Sequence, residues 1–198
     1  MKKVIFLIAA LLLSTCPMLC SNSVVSIDNG TLRLSFEESS GKLISLLNLK
    51  TLYEYIDPSA VETAPWKLNI AKGQPFLQTL PTHVDLTKIS PSSIEIRWEQ
   101  TNNNTGPEIV VKVSLDKNKA LSYWSIQINR IKDYHIESVQ FPLLSGIKDL
   151  GKEDLAVSSW LGNLIHNPRQ NLKDGMTPRT FTWNQPGALS MQLIALYN

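Results

Sequence analysis

Ser93-Ile94-Glu95-Ile96-Arg97-Trp98-Glu99, followed by Ile109-Val110-Val111-Lys112-Val113-Ser114-Leu115, is the passage that decides the fold. Ile94, Ile96 and Trp98 alternate with Glu95, Arg97 and Glu99, and Ile109, Val111, Val113 and Leu115 alternate with smaller or charged neighbours. Successive side chains of an extended chain point to opposite faces, so a period of two marks a strand with one dry face and one wet face. Between the two runs lies Asn102-Asn103-Asn104-Thr105-Gly106-Pro107, whose residue types favour a turn, so the pair reads as a hairpin.

Working outward, Leu32, Leu34 and Phe36 alternate with Thr31, Arg33 and Ser35, and further strands are expected near residues 24–28, 42–49, 66–70, 83–90, 121–131, 135–143 and 188–197. Asp28-Asn29-Gly30, Ser39-Ser40-Gly41 and Asp116-Lys117-Asn118 fall between such runs as hairpin connections. No segment beyond the amino terminus sustains a 3.6-residue apolar stripe over three turns. The predicted fold is therefore all-β, an antiparallel β-sandwich. One stretch, 145–187, breaks the pattern with scattered glycines and prolines and is expected to be a long irregular loop. The run after Pro186-Gly187 reads as a last strand with no turn behind it, so the sandwich is expected to be incomplete at its C-terminal end and to continue into something longer.

Lys2 and Lys3 precede an apolar run over residues 4–13, followed by small and polar residues and Pro17. Ten apolar residues fall short of the about 20 that a membrane-spanning helix needs, and the pattern matches a secretory signal peptide over residues 1–21, cut after Ser21. The sandwich then occupies residues 22–198, and the protein is expected to be exported to the periplasm, the cell surface or the medium. A competing fate is lipid anchoring through Cys16, because Leu13-Ser14-Thr15-Cys16 resembles a lipoprotein box.

Loss of the signal removes both cysteines and, with Lys2 and Lys3, leaves 17 basic against 17 acidic residues. A neutral chain of scattered charge has no basic stripe for nucleic acid. The three histidines, His83, His135 and His166, lack a second ligand at metal-site spacing, so neither a metal nor another cofactor is expected. Nucleophile elbows and phosphate loops are absent from the sequence. Glu37, Glu38, Glu95, Glu99, Glu153 and Asp154 lie in turns or on polar strand faces and are expected to be solvated, which leaves no carboxylate pair to nominate for glycoside hydrolysis and no catalytic residue in the chain.

Of the five tryptophans, Trp66, Trp98 and Trp124 share phase with apolar strand residues and are expected in the core. Trp160 and Trp183 flank the irregular stretch. With Asn163, His166, Asn167, Arg169, Asn184 and Gln185 they combine aromatic faces with planar hydrogen-bonding groups, the chemistry of a carbohydrate site. The alternative is that both tryptophans plug the end of the sandwich or pack on a further domain.

Val25-Ser26-Ile27-Asp28-Asn29-Gly30-Thr31-Leu32-Arg33-Leu34-Ser35-Phe36 and Gly41-Lys42-Leu43-Ile44-Ser45-Leu46-Leu47-Asn48 resemble the first strands of galactose-mutarotase-like supersandwich domains at the front of bacterial glycoside hydrolases. Gly162-Asn163-Leu164-Ile165-His166-Asn167-Pro168 and the segment 186–197 resemble one secreted, glycosidase-like family in which this domain precedes a (β/α)8 barrel. The resemblance implies an accessory, carbohydrate-associated domain whose partners are a glycan or oligosaccharide and a C-terminal catalytic barrel outside this chain. Two other classes stay open: an independent carbohydrate-binding module, and a structural or adhesive surface domain without ligand. A third, a stand-alone epimerase, requires His83 or His135 to face a glutamate across a pocket.

Overall fold

A computed structural model describes residues 23–61, 64–71, 82–100, 106–132, 135–159, 162–171, 173–174, 177–178 and 189–197. The segment expected to be a signal peptide lies outside them. In chain order the strands are β1 (Val24–Asp28), β2 (Leu32–Glu37), β3 (Leu43–Asn48), β4 (Tyr53–Glu54), β5 (Lys67–Ala71), β6 (Thr82–Ser90), β7 (Ser93–Gln100), β8 (Glu108–Leu115), β9 (Ser122–Asn129), β10 (His135–Gln140), β11 (Asp154–Ser159), β12 (Asn163–His166), β13 (Lys173–Asp174), β14 (Thr177–Pro178) and β15 (Leu189–Tyr197). One helical turn, α1 (Pro168–Asn171), and one 3-10 turn, Pro58–Ala60, complete the described elements.

The all-β reading holds. β1-β2-β3-β4 and β6-β7-β8-β9 are antiparallel meanders, each strand paired with its neighbour in sequence as the turn residues anticipate. Their facing sides meet in one core, which takes Ile27, Leu34 and Phe36 from the first sheet and Ile94, Ile96, Trp98, Val111 and Val113 from the second. Leu68 and Ile136, from the β5-β10 pair, pack on the same core. Trp66 and Trp98 meet edge to face at 5.6 Å, and Trp124 packs on Phe36 at 5.9 Å, so three tryptophans serve the interior as their phase predicts. Trp98 Nε1 donates to the Ser40 carbonyl at 3.0 Å, which satisfies the polar atom that its burial would otherwise strand.

The expectation of a single long loop over 145–187 is corrected. Within it β11 pairs β12 on one side and β15 on the other, a three-stranded antiparallel sheet. The physical reason that no period-two signal marks it is that this sheet stands outside the main core: Val157 is its only described apolar residue that is fully buried.

Candidate functional site

Loop 146–153 ties the sandwich to the three-stranded sheet. The Asp57 amide donates to the Gly146 carbonyl at 2.8 Å, Ile56 bridges Ile147, and the Lys148 amide donates to the Tyr55 carbonyl at 2.8 Å. Beyond the loop stands Glu153, expected at the surface and found 3% exposed. That expectation is corrected, and the cause is Arg169. The guanidinium grips the Glu153 carboxylate with two hydrogen bonds, Nε to Oε2 at 2.6 Å and Nη2 to Oε1 at 2.9 Å, and Nη2 also reaches the Lys148 carbonyl at 2.8 Å. The Leu150 amide donates to the same carboxylate at 2.8 Å. A carboxylate is buried at tolerable cost only when its lone pairs are met by donors. Arg169, with the Leu150 amide behind it, holds Glu153 below its ordinary pKa against the opposing effect of burial.

Asp154, one residue on, points to the other face. Its Oδ1 lies 2.7 Å from His166 Nδ1. In the β-sheet register Asp154 is opposite both His166 on β12 and Tyr197 on β15, so an exposed imidazole and an exposed phenol flank one carboxylate in a row across three strands. With Nδ1 occupied, the imidazole is fixed in orientation and Nε2 is turned away from Asp154. Asn171 Nδ2 holds the His166 carbonyl at 2.5 Å. Asn167 occupies a left-handed backbone position, φ 49°, its amide donating to the Glu153 carbonyl and its own carbonyl accepting from Gln170 and Asn171. Asparagine is among the residues that tolerate this conformation, and here it opens α1.

The expected site residues thus divide. Asn163 and His166 both lie on β12 but three residues apart, so they take opposite faces of the sheet, Asn163 the face of Val157 and His166 that of Asp154; Asn167 leads into α1, and all three are exposed, while Arg169 on α1 anchors Glu153. Trp160, Trp183, Asn184 and Gln185 lie outside the described residues. Missed from the sequence as site residues were Asp154, Tyr197 and the anchoring role of Glu153, because the first two depend on strand pairing and the third on an ion pair with α1, all between distant positions rather than on local spacing.

A second charged region lies on the side of β7 and β8 away from the core. Arg97 bonds Glu108 and reaches Glu95 at 3.0 Å, and Arg130 sits 3.3 Å from Glu99 and 3.6 Å from Glu108. Asn129 donates to Glu108 at 2.8 Å, and with Arg97 and Glu99 brings its pKa down to about 2. His83, exposed on β6, is directly opposite Glu99 in the register. His135 is exposed on β10 opposite Ala71.

No protein-family model, curated protein or solved structure matches this chain. The site therefore rests on its own geometry. Among the described residues no group of three histidine, cysteine or acidic side chains could hold a metal ion, and no helix is long and apolar enough to cross a membrane.

Proposed function

We propose that this chain is an accessory, carbohydrate-associated β-sandwich domain from the front of a secreted glycoside hydrolase, binding glycan without cleaving it. The observation that carries the reading is the row His166, Asp154 and Tyr197, which presents an oriented imidazole, a carboxylate and an aromatic ring side by side on an exposed sheet face. Sugar hydroxyls both donate and accept, so a face offering acceptor, donor and apolar ring suits them. Glycoside hydrolysis requires a carboxyl group kept protonated, with its pKa raised. Each described carboxylate whose pKa departs from its ordinary value is shifted down, which favours binding over hydrolysis. Screening the protein on a glycan array tests the proposal: binding that falls in His166→Ala and Tyr197→Ala supports it, and an array without signal sinks it.

A second reading, a stand-alone epimerase, draws on His83 standing opposite Glu99, an acid and base on one open sheet face. Polarimetry of freshly dissolved α-anomeric sugar separates the two. Acceleration of mutarotation that disappears in His83→Ala would replace the binding reading.

A further inference from the structure

We infer that Asn29 is a modification site, where hydrolysis of one side-chain amide unfastens one end of the sandwich. Asn29-Gly30 is the chain's one Asn-Gly pair. Gly30 is exposed at φ +78°, with nothing within 4 Å of where a Cβ would stand, so no side chain shields its backbone nitrogen. That nitrogen donates one long bond, 3.3 Å, to Asp28 Oδ1. Once it has lost its proton to hydroxide it can attack Asn29 Cγ. A new N–C bond forms, the bond from Cγ to Nδ2 breaks, and Nδ2 takes protons from water and leaves as ammonia. Water then opens the cyclic imide to aspartate or isoaspartate.

The fold uses this same carboxamide as a clasp. Oδ1 accepts from the Thr31 and Leu32 amides at 3.0 and 2.8 Å, while Nδ2 donates to the Asp116 and Lys119 carbonyls at 2.5 and 2.9 Å. Both lone pairs and both protons of the amide are thereby used. The turn between β1 and β2 is tied through them to the turn between β8 and β9. Asp116 shapes the receiving turn, its Oδ1 accepting from the Asn118 and Lys119 amides at 2.9 and 3.1 Å. The turn between β6 and β7 joins them, because the Asp28 amide donates to the Pro91 carbonyl at 2.9 Å and the Leu115 amide to the Ser92 carbonyl at 2.8 Å. Three turns thus close this end of the two facing sheets.

Ring closure expels Nδ2, so it cannot be completed without breaking the bonds to Asp116 and Lys119. The reaction therefore waits on local opening. Its product cannot rebuild the clasp. Aspartate sets a carboxylate oxygen, with no proton to donate, against two carbonyl oxygens and beside the ionised Asp116. Isoaspartate also lengthens the backbone within the turn.

Peptide mass mapping of the full chain, held at mildly alkaline pH either folded or in concentrated urea, reads the conversion of Asn29. Conversion is expected in both, slower by at least about tenfold in the folded chain. Asp116→Ala, which removes the acceptor that shapes the receiving turn, is expected to move the folded rate about tenfold toward the rate in urea. In Asn29→Asp the Asp116, Asn118 and Lys119 amides are expected to exchange hydrogen about tenfold faster, while those of β7 stay limited by global unfolding. No conversion in urea would overturn the site. Equal rates folded and in urea would overturn the clasp, a comparison that needs no variant to fold. Unchanged exchange in Asn29→Asp would overturn the unfastening.

Discussion

Glu153 shows how far a single side chain can depart from what its neighbours in sequence suggest. Acidic residues are seldom buried, and nothing in Gly151-Lys152-Glu153-Asp154 marks this one as an exception. Its burial is decided by Arg169, sixteen positions on, and that pairing becomes visible only when α1 is folded against β11. Removing Arg169 would leave a carboxylate with 3% exposure and without its bidentate partner. Arg169→Ala is therefore expected to cost about 2–4 kcal/mol, read as a lower urea midpoint at unchanged slope. Glu153→Leu combined with Arg169→Met is expected to recover most of that loss, because it removes the buried charge together with its partner. The same groups set the acid limit. Folded-state pKa values of Glu153 and Glu108 lie below their unfolded values, so the stability they contribute is fully present above the unfolded carboxylate range and is lost as pH falls through the folded values. Melting temperature is expected to fall between the ordinary glutamate value of 4.5 and about 2, where Glu108 protonates, and Glu108→Gln is expected to flatten that fall while lowering stability at neutral pH.

At the scale of the element, strands were legible where burial was one-sided. β7 and β8 each turn alternate residues into the core, so their period of two survives in the sequence, and the tryptophans that share that phase are interior. β11 and β12 have no such face toward the main core, and Asp154-Leu155-Ala156-Val157-Ser158-Ser159 carries too little alternation to stand out against a stretch rich in turn residues. The turn at Ser39-Ser40-Gly41 was legible as a turn, although its tightness was not. Gly41 has φ +68°, and a Cβ there would lie 2.4 Å from Trp98 Cζ2. Gly41→Ala combines a left-handed backbone with a clash against a packed indole and is expected to destabilise by about 2–4 kcal/mol in chemical denaturation. The last strand presents a different hazard. β15 carries no charged residue and no proline, and Ile194 is 57% exposed. An uncharged apolar strand of this kind is prone to pair with other chains. Ile194→Lys is expected to reduce light scattering on heating while changing the free energy of unfolding by no more than about 1 kcal/mol.

Across the whole molecule, the apolar interior and the proposed site belong to different bodies of structure. The core cluster takes its side chains from the β1-β4 sheet, the β6-β9 sheet and the β5-β10 pair, whereas β12-β11-β15 adds none of its described side chains to it. What fastens the smaller sheet among the described residues is mainly polar: backbone bonds at Gly146 and Lys148, the Ile56 and Ile147 bridge, and the Arg169 grip on Glu153 and the Lys148 carbonyl. Regions with few buried apolar contacts open at lower free energy than the global transition, and binding surfaces are often drawn from them. Native-state hydrogen exchange in low urea is therefore expected to separate two classes of amide. Those of β7 and β8 should exchange only through global unfolding, with the full urea dependence. Those of β11 and β12 should exchange through a smaller opening, with a shallower dependence and lower free energy. Arg169→Ala is expected to lower protection in β11 and β12 while leaving β7 and β8 limited by global unfolding. Equal loss of protection in all four strands would instead make the small sheet part of one cooperative unit with the sandwich. Its polar fastenings would then be as strong as the apolar core that they adjoin.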